Sequence, residues 1–157
     1  FPGRFIGIDI EPVRLASSSA RGVRGLVLGN AEELPFRDET FDGVLAKDVL
    51  EHLYLEQAFR FLAEAKRVLR PGGLFVAVTF QATQSFWDKP DHVRPYSNKW
   101  VRRVLVQEMG GFTVVRERRF SAGIPGFGRL GIASLAHYLA QWFGIRYDHG
   151  MIILKKQ

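Results

Sequence analysis

The chain has 157 residues, of which 46% are hydrophobic and 24% charged, with a formal net charge of +6 and no cysteine. That length suits one domain with a single core, and the missing thiols exclude disulfide staples, thiolate nucleophiles and cysteine-ligated zinc, leaving a reducing cytoplasm as the default compartment. Basic charge attracts phosphate backbones, but the arginines are scattered over loops, a helix end and a strand rather than interleaved with stacking aromatics, which argues against nucleic acid as the partner.

Residues 5–10 form an apolar run containing Asp9 near its end and read as a buried strand, after which Pro12 suits the first turn of a helix that Gly22 ends. A second short strand, residues 26–28, is stopped by Gly29. A third, residues 41–46, follows a loop containing Pro35 and Asp38. Leu55, Ala58, Phe59, Leu62, Ala65, Val68 and Leu69 recur at helical spacing, and Pro71-Gly72-Gly73 is expected to stop that helix before a strand over residues 74–80. Ser97 can cap a helix running to about Met109, with Trp100, Val101, Val104 and Leu105 inward and Gly110-Gly111 as terminator. A strand over residues 112–120 follows.

Residues 123–128 are a Gly/Pro-rich break, and Ile132, Leu135, Ala136, Leu139, Trp142 and Phe143 make the stripe of another amphipathic helix. The unit 123–144 is expected to be a helical insertion before a closing strand over residues 147–155, serving as a substrate lid, a contact in a homodimer or simple core packing. No stretch is long and apolar enough to span a membrane. Strands alternating with helices imply an α/β fold whose mostly parallel sheet is covered on both faces, so ligands belong in the crevice outside the carboxyl ends of the strands.

The strings GIDIEP, GNAEELPF, FDGVL, LEHL and LRPGGLF occur in the order and at the spacing of the class I S-adenosylmethionine-dependent methyltransferases, which this chain resembles over residues 1–120, especially the branch of quinone-biosynthesis and natural-product enzymes. The resemblance implies a Rossmann-like doubly wound sheet with an antiparallel closing strand. Members of that family open with a strand and glycine-rich turn that have no counterpart here, so residues 1–157 are expected to form one methyltransferase-type domain that is incomplete at its amino end. Two strands would then lack hydrogen-bond partners along one edge, and the segment by itself is expected to fold poorly.

The same resemblance implies S-adenosyl-L-methionine as cofactor and assigns its contacts. Asp9 would accept from both ribose hydroxyls, as its two acceptor oxygens allow, although an Asp after an apolar strand can also be a helix cap. Ile10 would cover the adenine face. Asn30, where the family commonly has Asp, and the backbone at Ala31 would read the adenine edge, whereas Glu32 and Glu33 read as solvated loop or cap residues. Lys47 stands where the family lines the sulfonium. A cation there is repulsive, so its ammonium is expected to point away, pair with Asp48 or serve a substrate carboxylate. Asp48, Glu51 and His52 form a D-x-x-E-H pattern similar to one tied to a divalent metal in the quinone-biosynthesis enzymes, with helix-start packing as the blander reading and no metal assigned.

The loop after Phe80 carries Phe86, Trp87, Asp91 and His92 on the side where the fold presents substrate. His92, with His52, is a candidate acceptor of the substrate's proton, or it orients the loop. His137 and His149 read as structural. The activity implied is methyl transfer to an oxygen or nitrogen of a small apolar or aromatic acceptor. The alternatives are a non-catalytic homologue acting as scaffold and a nucleic-acid-directed methyltransferase or binder.

Overall fold

A computed structural model of the chain describes residues 5–120 and 149–157. The proposed insertion 123–144 and His137 lie outside the described residues.

Among the described residues, six strands form two sheets. Gly7–Asp9 (β1) and Leu26–Leu28 (β2) pair in parallel over three positions, Gly7 opposite Leu26 and Asp9 opposite Leu28. Phe41–Lys47 (β3), Leu69–Phe80 (β4), Phe112–Phe120 (β5) and His149–Lys156 (β6) form a sheet in the order β3-β4-β6-β5, in which β3 runs parallel to β4 and β6 is antiparallel to both neighbours. The antiparallel closing strand expected from the resemblance is therefore present. The two sheets are not joined by backbone pairing among the described residues, so β1 and β3 each keep an unpaired edge.

Helix Pro12–Ala20 (α1) starts at a proline and gives way at Gly22, whose φ of 83° is cheap only for glycine. Helix Leu55–Val68 (α2) buries Ala58, Phe61, Leu62, Ala65 and Val68, while Leu55 stays 38% exposed, so the stripe is rotated slightly from the predicted one. The helix ends at Val68 because Leu69 adopts an extended backbone. The Pro71-Gly72-Gly73 run, expected to be a turn, instead belongs to the irregular start of β4, where the register slips opposite Phe41 and Gly43. A short helix Gln84–Trp87 (α3) precedes Asn98–Arg102 (α4), whose cap is the predicted one: the Ser97 hydroxyl accepts the Trp100 N–H at 3.2 Å. α4 widens into a π-helical stretch, Arg103–Glu108, and the chain leaves it through Gly110 and Gly111, both at positive φ.

α2 and α4 lie on one face of the four-stranded sheet. Phe75 and Ala77 of β4 and Ile152 and Leu154 of β6 pack with Leu62, Ala65, Val101 and Leu105 in the core. Alternate positions point the other way, and among them Leu74 is 40% exposed, as Leu45 of β3 is 65% exposed. Among the described residues, helices close one face of this sheet. β1 and β2 are not the buried strands expected, since every β1 residue is half-buried and Leu28 is 57% exposed.

Candidate functional site

The carboxyl ends of β1, β2, β3 and β4 carry the predicted residues. Asp9 ends β1 with its side chain 29% exposed. Its Oδ1 accepts the Glu11 N–H at 2.9 Å, the local cap foreseen as the bland reading, and its Oδ2 lies 4.0 Å from the Arg14 guanidinium. Acceptor lone pairs remain for a diol. Ile10, beside it, is 62% exposed and offers an uncovered apolar surface.

After β2 the chain turns at Asn30, whose Oδ1 accepts the Glu32 N–H at 2.9 Å while its carbonyl accepts the Glu33 N–H at 3.1 Å. Ala31 packs against the main core. Glu32 departs from expectation. It is not solvated: Gln57 Nε2 donates to its Oε1 at 2.7 Å, and Arg60 Nε donates to its Oε2 at 2.7 Å. The downstream half of the loop is held separately, by Glu64 accepting from Leu34 N–H at 2.8 Å and by Arg67 donating to the carbonyls of Leu34 and Phe36. The hydrogen bond from Arg67 holds the Glu64 carboxyl below its ordinary range.

At the end of β3, Lys47 forms an ion pair with Asp48, one of the alternatives the sequence left open. Asp48 has φ of 53° and donates its N–H to the Val78 carbonyl at 3.0 Å, an uncommon backbone state for a non-glycine residue. The 3-10 turn Leu50–His52 follows, and the loop after β4 docks onto it. The Glu51 carbonyl accepts the Val93 N–H at 2.8 Å, and the buried Tyr96 donates its hydroxyl to the Leu53 carbonyl at 2.9 Å. Those contacts bring His92 to His52, with ring centroids 5.0 Å apart, inside a ring set completed by Phe80 and Phe86, each 4.8 Å from His92. Phe86 is fully buried and Trp87 is 61% exposed, so only Trp87 faces outward.

Glu51, His52 and His92 place one ligand-type atom each within 4.8 Å of one another. Glu51 is fully buried and neither of its carboxylate oxygens has a hydrogen-bond partner, nor has the buried Nδ1 of His92. Burial is the main cause raising the Glu51 carboxyl above its ordinary range and lowering the His92 imidazole below its own, so both shifts favour uncharged forms. His52 Nδ1 lies 2.9 Å from the Asp91 carbonyl; as donor there, it leaves Nε2 with its lone pair. Two imidazoles and a carboxylate suit a divalent ion as well as proton transfer. Asp48 does not join them. His149, read from sequence as structural, lies opposite Phe80 across β4 and β6, with ring centroids 4.1 Å apart. The antiparallel register that brings it there is not visible in a linear string.

The fold and this end of the sheet define an α/β domain of the nucleotide-binding kind. Residues 1–77 match the family model described as a methyltransferase domain. A Mycolicibacterium smegmatis protein whose name describes an S-adenosylmethionine-dependent methyltransferase is 36% identical over 117 residues, 71% of this chain and 44% of that protein. A solved SAM-dependent methyltransferase from Archaeoglobus fulgidus matches with a TM-score of 0.70 and 22% identity, covering 96% of this chain and 75% of that one. A Burkholderia thailandensis 1,6-didemethyltoxoflavin-N1-methyltransferase, solved with 1,6-didemethyltoxoflavin and S-adenosylhomocysteine bound, matches with a TM-score of 0.61 and 19% identity over 96% of this chain and 60% of that one. The matched family and the Mycolicibacterium relative support a class I S-adenosylmethionine-dependent methyltransferase. It spans less than half the length of the Mycolicibacterium relative.

Proposed function

We propose that the protein transfers a methyl group from S-adenosyl-L-methionine to an oxygen or nitrogen of a small apolar or aromatic acceptor. The observation that carries this reading is the row of Asp9, Asn30, Lys47 and the Glu51–His52–His92 group along the carboxyl ends of successive strands. The cofactor supplies an electrophilic methyl on sulfur. Asp9 fits the ribose, because its carboxylate is accessible and holds only a local N–H and a 4.0 Å ion pair with Arg14. The exposed Ile10 fits one face of the adenine. Asn30 and the backbone at Ala31 meet the adenine edge, and Lys47, its charge offset by Asp48, lines the cofactor's reactive end.

On the acceptor side, His92 takes the proton of the attacking hydroxyl or amine, and His52 orients the neighbouring turn through Asp91. The depressed imidazole keeps His92 in its neutral, proton-accepting form at neutral pH. Phe86 is buried behind His92, and the exposed Trp87 offers an aromatic surface to the acceptor. Residues 123–144 enter this proposal only as the lid, subunit contact or core packing suggested by sequence.

The test is release of S-adenosylhomocysteine on incubation with S-adenosylmethionine and a panel of small phenols and heteroaromatic amines. His92→Asn is expected to slow turnover by about 100-fold, the lower range for one general base. Turnover unchanged in His92→Asn would remove that assignment.

A further inference from the structure

Glu32 sits in the short loop after β2, between the two residues assigned to the adenine edge and the buried Leu34. An acidic side chain in a loop of this kind is ordinarily solvated, yet its side chain is 14% exposed. Both of its oxygens are taken. Gln57 and Arg60 stand three residues apart on α2 and therefore share one face of the first turns. Gln57 Nε2 donates to Oε1 at 2.7 Å, while Arg60 donates through Nε and through a terminal nitrogen to Oε2, each at 2.7 Å. The other end of the Gln57 amide accepts the Tyr54 N–H at 2.9 Å and so caps α2. Tyr54 follows two residues after His52. A continuous chain of hydrogen bonds therefore runs from the turn at Asn30, through the Glu32 carboxylate and the Gln57 amide, to the start of α2 beside the Glu51–His52 turn.

We propose that Glu32 is a positioning residue for cofactor binding: it fixes the Asn30–Ala31 turn to the start of α2, so that the adenine edge is met by a preformed turn. This rests on the assignment of Asn30 and Ala31 to the adenine made above. Glu32 is largely shielded although Arg60 is 55% exposed, so the charge-assisted contacts are held at the carboxylate end, and a turn already ordered before the ligand arrives spares the ordering cost at binding. The Glu64 and Arg67 contacts to Leu34 and Phe36 are independent of Glu32, so its loss frees the upstream half of the loop without detaching the rest.

Two measurements on Glu32→Ala in the full-length protein test the proposal, with Glu32→Gln, which can keep the Gln57 contact, as the conservative variant. Hydrogen exchange of the Glu32 and Glu33 amides, both bonded to Asn30, should accelerate in Glu32→Ala while the Leu34 amide, held by Glu64, is unchanged. Titration calorimetry with S-adenosylhomocysteine and with adenosine should show both weakened by about tenfold, since the contact acts at the adenine end they share, with Glu32→Gln intermediate. Arg60→Ala combined with Glu32→Ala should lose less than the two single losses combined. Unchanged exchange at Glu32 and Glu33 would overturn the tether, and faster exchange with unchanged affinity would overturn its link to the cofactor. Absence of binding in the unmodified protein, with the exchange difference intact, would overturn the adenine assignment and the proposal together.

Discussion

The β1–β2 pair and the four-stranded sheet are made of similar apolar runs and come out differently. In β4, paired on both sides by β3 and β6, the residues facing α2 and α4 are fully excluded from water. In the β1–β2 unit, three-residue strands pair, among the described residues, only with each other, α1 buries no residue, and Phe5, Ile6, Ile10, Val13 and Leu28 are all exposed. Sequence hydrophobicity sets what a strand can bury, and neighbours set what it does bury. The smaller unit is tied to the larger through the loop after β2, by Glu32, Glu64 and Arg67, so the tether carries the Asn30–Ala31 turn.

The largest expected consequence concerns the unpaired edges. Residues 1–157 produced by themselves should self-associate through β1 and β3, because exposed backbone donors and acceptors template further pairing. Cooperative unfolding of a stable monomer, seen by sedimentation and calorimetry together, would contradict this. Next in size, Leu62→Ala should destabilise the large sheet by about 2 to 5 kcal/mol, whereas Leu28→Ala, at a position 57% exposed, should cost under about 1 kcal/mol. Chemical denaturation of the two variants distinguishes the regions, and equal losses would erase the contrast.

A subtler difference is electrostatic. The Glu51 carboxyl is raised, so the folded state holds its proton more tightly than the unfolded state. Stability is therefore lost as pH rises from 4.5 through the raised value. Glu51→Gln should be more stable than the unmodified protein at neutral pH and equal to it below 4.5, measured by urea midpoints at both pH values. The lowered His92 imidazole acts at the other end, its contribution fading as pH falls from 6.5 toward the lowered value, and His92→Asn should flatten that limb. The smallest expected effect is that of a chelator: direct displacement needs no ion, and turnover should persist in it. Loss of turnover restored by a divalent ion would instead assign the Glu51–His52–His92 group to metal binding.

Much of this was legible from residue order because it is local. The Ser97 cap, the glycines after α1 and after the π-helical stretch, and most of the α2 stripe depend on contacts within a turn or two. The Lys47–Asp48 pair was legible as an adjacency. Other features needed the packed chain. Pro71-Gly72-Gly73 passes through the start of β4 because the neighbouring β3 absorbs the slip in register. His92 reaches Glu51 because the loop after β4 docks on the Glu51 carbonyl, and His149 reaches Phe80 through antiparallel register. Glu32 looked solvated because its partners, Gln57 and Arg60, come to it only when α2 packs beside the loop.

The central claim is that the carboxyl end of β1 is a cofactor site, and calorimetric titration of S-adenosylhomocysteine into the full-length protein and its Asp9→Ala variant tests it most directly. One site should appear in the unmodified protein, weakened in Asp9→Ala by about 1.5 to 3 kcal/mol, the range for hydrogen bonds to a charged group. Equal affinity in the two proteins, or no binding to either, would contradict the account.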